Sequence, residues 1–203
     1  MPESLSFRIA IADYIRREAR PVEKFGHQPR LYALACRIGE GLQYDDDVLY
    51  AAAWLHDLGV FIGHRPEDMD ALRSWNNTAY AMDRAPTLLE TFGFPSKKIA
   101  GVVEAIRTHQ PSGEPTTEEG VILRDADILE QLGAVGILRT VCKVGRDTRY
   151  ETFTAAVKTL RENLAVLPPL LHLPSARQIA AAKVELLRAF LVAVEEEAGG
   201  NLL

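Results

Sequence analysis

The sequence predicts an all-α fold of about eight helices in one domain, and three observations carry that prediction. Apolar residues recur at three- and four-residue spacing through most of the 203-residue chain, as on one face of a helix. No segment has the alternating, β-branched pattern of a strand longer than a few residues. Prolines, glycines and cap residues divide the chain into helix-length segments, with no internal repeat or low-complexity stretch.

Leu5 to Arg20 places Phe7, Ile11, Tyr14 and Ile15 on one stripe, and Pro21 stops it. His27 to Glu40 sets Leu31, Leu34 and Ile38 at offsets of 4, 7 and 11 from His27, so the histidine begins the apolar stripe. Pro29 suits a first helical turn and puts His27 at or beside the N-cap. Asp45, Asp46 and Asp47 offer cap oxygens for Val48 to Leu58, with Gly59 expected to end that helix. Phe61 to Ser74 lacks a sustained period and reads as a loop with room for one helical turn.

Trp75 to Phe92 is helical in pattern, with Pro86 either kinking one helix or opening a second. Ser96 is an N-cap candidate for Lys97 to Thr108, which leads to His109. Thr116 and Glu119 match a capping box before a helix carrying Val121, Ile122, Ile128, Leu129 and Leu132. Asp125 falls on that stripe, whereas the period turns Asp127 toward solvent or a surface ion pair. Ala134 to Val144 is again helical, Gly145 to Thr148 reads as a basic flexible loop, and Tyr150 to Leu164 forms a further helix. Ser175 caps a last helix running to about Glu197. The motif-bearing region is about 20–140, and the helices of 150–197 are expected to pack on it.

Hydrophobic residues at 47% and charged residues at 25% are the proportions of a globular domain. A net charge of -5 gives a polyanion no general reason to bind, so no nucleic acid polymer is expected as a partner. Cys36 and Cys142 lie far apart in apolar helical contexts and read as reduced core residues. No apolar run approaches the roughly 18 residues of a membrane span, and Met1 to Phe7 lacks the regions of a signal peptide. A cytoplasmic monomer or homodimer with no membrane partner is the expectation.

Four residues stand out as chemistry: His27 at the start of one apolar face, His56-Asp57 ending a second helix, and Asp125 on the buried face of a third. Singly, each is most simply a hydrogen-bonded core group or a cap. Together, two imidazoles and two carboxylates from three helices can bind one divalent ion and leave positions open for water and substrate.

The stretches Gly26-His27-Gln28-Pro29-Arg30-Leu31, Ala51-Ala52-Ala53-Trp54-Leu55-His56-Asp57-Leu58-Gly59 and Leu123-Arg124-Asp125-Ala126-Asp127-Ile128 resemble the HD-domain superfamily of metal-dependent hydrolases, ordered as His, His-Asp, Asp. The runs Gly133 to Arg139 and Ser175 to Ala180 are similar to a bacterial branch of small HD hydrolases. The resemblance implies metal-ligand roles for His27, His56, Asp57 and Asp125 and one divalent ion, with Mn, Fe, Co, Ni or Zn suiting the donors and Mg an assay alternative. It further implies hydrolysis of a nucleotide or other small phosphorylated compound, with Asp57 also orienting water and His109 first donating a proton or contacting phosphate, and alternatively serving as a second-metal ligand. His64, in the loop after the pair, is a further catalytic candidate.

Arg30, Lys143, Arg146 and Arg149 are candidate phosphate contacts, with a solvated basic face as the plainer reading of each. Two departures from the resemblance bear on substrate: Leu58-Gly59-Val60 stands where many members have Gly-Lys, and Gln110-Pro111 follows His109 where a serine is usual. An HD-fold hydratase or lyase of the cyanamide hydratase type is therefore an alternative, and a non-catalytic nucleotide-binding module a second.

Overall fold

The computed structural model describes residues 3–145 and 150–202, and among these there are ten α-helices, three 3₁₀ turns and no strand. The helices are α1 Glu3–Glu18, α2 His27–Ile38, α3 Asp46–Leu55, α4 Met69–Arg73, α5 Asn77–Thr91, α6 Ser96–Thr108, α7 Glu118–Glu130, α8 Gly133–Val141, α9 Phe153–Val166 and α10 Pro174–Ala198. The fold is all-α, as the periodicity predicts. The chain divides into two compact units, residues 1–124 and 125–203, with the boundary inside α7.

The first unit is built on α3. The Asp45 side chain caps it, accepting from the Asp47 and Val48 N–H groups, and every residue from Val48 to Leu55 is buried. A helix apolar on all sides belongs in a core, and the small Ala51, Ala52 and Ala53 side chains let neighbours come close. Its neighbours are α1, α2 and α6, and α5 packs in turn on α6. Ion pairs fasten the N-terminal end: Arg8 binds Asp46 at 2.8 Å and Asp47 at 2.6 Å, while Lys98 binds Asp45 and Asp47 at 2.8 Å each. Burial alone would raise the Asp47 carboxyl, but hydrogen bonds from Lys98 and Arg8 outweigh it and hold the group below its ordinary range.

Several local expectations are corrected by tertiary contacts. Gly59 does not end α3, which stops at Leu55; Gly59 lies inside the 3₁₀ turn Leu58–Val60. Pro95, not Ser96, is the N-cap of α6, and no side chain caps it. The expected Thr116–Glu119 box is not made, because Glu119 accepts the Asp45 N–H at 2.6 Å and Thr116 donates to Glu104; Thr117 Oγ1 accepts the Gly120 N–H instead. Pro86 lies within one continuous α5. Cys142 is exposed and Cys36 half-buried, so Cys142 is not a core residue.

Asp127 is buried, as are Arg124 and Glu130, against the expectation that Asp127 faces solvent. The stripe argument assumes one wet face, and from Ile122 to Glu130 α7 has none. Gln131 donates to the Asp127 carboxylate at 3.3 Å.

In the second unit α8, α9 and α10 pack on one another. The Asp125 carboxylate holds the turn before α10, accepting the Leu173 N–H at 2.7 Å and the His172 N–H at 2.9 Å, and Leu173, not Ser175, is the N-cap of α10. Arg146 and Arg149, read as phosphate contacts in a basic loop, lie outside the described residues. No helix among the described residues is long and apolar enough to cross a membrane.

Candidate metal centre

His27 is the first residue of α2, entered from the 3₁₀ turn Val22–Gly26. Buried Gln28, with its amide nitrogen turned to the Phe25 and Lys24 carbonyls at 3.1 Å each, ties α2 to that turn. His56 is the C-cap of α3, its N–H still bonded to Ala52 O at 3.0 Å. Consecutive residues in a helix point about 100° apart and do not converge on one point. Here the chain leaves the helix at Asp57, with φ -101° and ψ 16°, and the adjacent His56 and Asp57 side chains meet.

Three ligand atoms face one another. His27 Nε2 lies 3.3 Å from His56 Nε2, and Asp57 Oδ2 lies 3.5 Å from His56 Nε2 and 3.6 Å from His27 Nε2. An ion held at about 2.1 Å by nitrogen and oxygen donors sets neighbouring donors about 3.0 to 3.4 Å apart between right and tetrahedral angles. The 3.3 Å edge falls within that range, and the 3.5 and 3.6 Å edges lie just above it. The tautomer fits too: His56 Nδ1 is 3.0 Å from Ala53 O, a carbonyl that can only accept, so Nδ1 carries the proton and Nε2 turns a lone pair to the cluster. His27, His56 and Asp57 therefore suit a divalent cation.

Asp57 is the most open of the three, at 19% side-chain exposure against 8% for His27 and 1% for His56. Burial works to raise its carboxyl, but the neighbouring His56, His27 and His109 imidazoles prevail and hold it well below the usual carboxylate range. The group is a carboxylate ready to bind a cation.

His109, the C-cap of α6, completes a ladder of edge-on rings: His27 to His56 at 5.2 Å between centroids, and His56 to His109 at 4.9 Å. Its Nδ1 lies 2.6 Å from Ile106 O, and its Nε2 accepts from Gln110 Nε2 at 2.9 Å. His64 is held in a different cluster, with Nδ1 2.9 Å from the Tyr80 hydroxyl and Nε2 3.0 Å from Glu18 Oε2. Asp125, fully buried in the second unit, accepts the α10 entrance N–H groups and has His172 Nδ1 at 3.6 Å. Arg30 is exposed, and Lys143 is half-buried after α8.

Two side chains at this end of the first unit escaped the sequence reading. Lys24 donates to the backbone carbonyl of Val60 at 2.8 Å, Val60 being the residue where the resemblance expects a lysine. Gln110 was noted only as a departure from a motif.

These observations define a helical protein with a His–His–Asp cluster that could hold a metal ion. A model of the HD domain matches residues 25–132, just over half of the sequence, and the chain belongs to the HD-domain family. That membership supports a metal-dependent hydrolase at the level of the superfamily, and HD domains bind divalent metals. No curated protein matches the chain.

Among solved structures, YpgQ of Bacillus subtilis in complex with ADP is 24% identical, with 98% of each chain covered and a TM-score of 0.74. An HD-superfamily hydrolase of Bacillus thuringiensis is 19% identical over 98% of this chain and 99% of that one, with a TM-score of 0.69. A predicted HD-superfamily hydrolase from an uncultured Thermotogales bacterium is 25% identical over 92% of this chain and 90% of that one, with a TM-score of 0.62.

Proposed function

We propose that the chain is a metal-dependent phosphohydrolase acting on a nucleotide or another small phosphorylated compound. The observation that carries the reading is the set of three donor atoms of His27, His56 and Asp57 at 3.3 to 3.6 Å, with a fourth titratable side chain, His109, edge-on to His56. The motif order extends the ligand role to Asp125. When bound, a divalent ion supplies an acidified water and neutralises charge on a phosphoryl oxygen.

The side chains divide the remaining work. The Ala53 carbonyl fixes the His56 tautomer, so that Nε2 is a donor to the ion without a change of ring orientation. Asp57, reachable from solvent, orients the attacking water. His109 meets the phosphoryl or leaving oxygen through Nε2 when that nitrogen carries a proton, the oxygen then taking the place of the Gln110 amide. His64 fastens the loop after the His-Asp pair to α1 and α5 through Glu18 and Tyr80. Lys24, whose ammonium is bound to the Val60 carbonyl, is a further proposed phosphate contact. Arg30 and Lys143 remain proposed phosphate contacts. The ADP complex of YpgQ supports a nucleotide in preference to other phosphate compounds.

The test is release of phosphate or pyrophosphate by Mn²⁺-loaded protein from nucleoside tri-, di- and monophosphates, cyclic nucleotides and cyanamide, with Asp57→Ala as control. Turnover of at least one nucleotide, abolished by the substitution, is expected. Turnover that survives Asp57→Ala refutes the mechanism. Turnover of cyanamide alone replaces it with the hydratase reading, and binding of nucleotides without turnover replaces it with a binding module.

A further inference from the structure

We infer that Gln110 is a positioning residue of the metal centre, one that holds the His109 ring beside His56 while keeping its Nε2 out of the ion's ligand set. The inference rests on the metal-centre reading above and concerns a side chain to which that reading gives no role.

The hydrogen-bond directions leave little freedom. The Ile106 carbonyl oxygen 2.6 Å from His109 Nδ1 can only accept, so Nδ1 carries the proton and the neutral ring offers a lone pair at Nε2. That lone pair requires a donor, which fixes the Gln110 carboxamide with its nitrogen toward the ring, at 2.9 Å. Thr78 Oγ1 stands 3.4 Å from the same amide nitrogen and sets the carboxamide plane from the first turn of α5.

The consequence follows from comparing two rings. His56 and His109 share one pattern: each is a C-cap, each gives Nδ1–H to the carbonyl three residues earlier, and their rings stand edge-on at 4.9 Å. Backbone geometry alone thus prepares both Nε2 atoms as metal donors. They differ in what meets that nitrogen: His27 and Asp57 at His56, an amide N–H at His109. A lone pair that accepts a hydrogen bond is not available to a cation. Gln110 therefore separates a ligand histidine from one whose Nε2 is held out of the ligand set.

The test uses full-length protein labelled with ¹⁵N-histidine and titrated with ¹¹³Cd²⁺, and it needs no turnover. Cadmium–nitrogen scalar coupling is read at each histidine Nε2. In wild type, coupling is expected on His27 and His56 and not on His109. In Gln110→Leu, and in Gln110→Met as a second donor-free variant, coupling appears on His109 as well, and its Nε2 resonance shifts on cadmium addition. The Nδ1–H tautomer persists in the apo variants, since Ile106 O is unchanged, and this also reports that the variants are folded. Coupling on His109 in wild type overturns the inference, as does its absence from both folded variants. Absence of coupling on His27 and His56 in wild type overturns the metal centre itself, and the inference with it.

Discussion

Replacing Gly59 by alanine adds a methyl group whose carbon would lie 2.8 Å from both the Cα and the carbonyl oxygen of Asn77. Those atoms belong to the backbone of the first turn of α5, so no rotamer change relieves the overlap. Ordinary carbon contacts begin near about 3.5 Å, so one backbone must retreat by about 0.7 Å. Overpacking of this kind costs about 1 to 3 kcal/mol. For a chain of this size that lowers Tm by about 2 to 12 °C. The retreat also moves the turn whose N-cap is Asp57 and whose Gly59 carbonyl receives the Trp75 indole N–H at 2.8 Å. Ion binding should therefore weaken by about tenfold or more, as when an outer-shell support is lost.

The matched control is Gly101→Ala in α6, whose new carbon would meet Val48 at 3.4 and 3.6 Å, an ordinary contact. There the gain in helix propensity should stabilise by about 0.5 to 1 kcal/mol. Thermal unfolding followed by circular dichroism, with Mn²⁺ titration calorimetry, reads both variants. Equal Tm values for Gly59→Ala and Gly101→Ala would refute the close-approach argument.

Four further outcomes are expected. Asp45→Ala removes the cap of α3 and one Lys98 partner and should cost about 0.5 to 2 kcal/mol in urea unfolding. The Asp47 carboxyl is held below its unfolded value of about 3.9, so its stabilisation is complete above that pH and is lost as pH falls through the lower folded value; the stability gap between wild type and Asp47→Asn should be constant from about pH 7 to 5 and close below about pH 4. Mn²⁺ at a hundred times its dissociation constant should raise stability by about 2.7 kcal/mol in wild type, and His27→Ala should show no such rise. Lys24→Met should raise KM for the phosphorylated substrate several-fold with kcat little changed, measured by steady-state kinetics, if its ammonium contacts phosphate in ground and transition states alike.

What was legible in the sequence was whatever a local period or a local cap decides. His27 opens α2 and Asp45 caps α3 because three- and four-residue spacing and cap chemistry are local rules. Asp127 was misread because the rule that sorts α7 into a wet and a dry face has no wet face to find between Ile122 and Glu130. Glu119 was misread because its carboxylate serves the Asp45 N–H, seventy-four positions away, in preference to the cap beside it. Ser175 lies inside α10 because Pro174 opens the helix, and the turn before it is held by Asp125, forty-eight positions before Leu173. In both cases a carboxylate is engaged by backbone N–H groups distant in sequence, which no local rule anticipates.

The same division separates the ion from the substrate. The three donors are placed by backbone: the first residue of a helix, the last turn of another, and the bend that follows it. Positions of that kind are announced by motif spacing, and any change there costs the ion. Lys24 and Gln110 instead reach their partners with the tips of flexible side chains, across thirty-six positions to Val60 in one case and onto the neighbouring ring in the other. Such groups leave no periodic trace, and replacing them costs the backbone little. Substitutions at these two positions should therefore change which phosphate compound is used, and how many histidines meet the ion, while α2 and α3 stay in place.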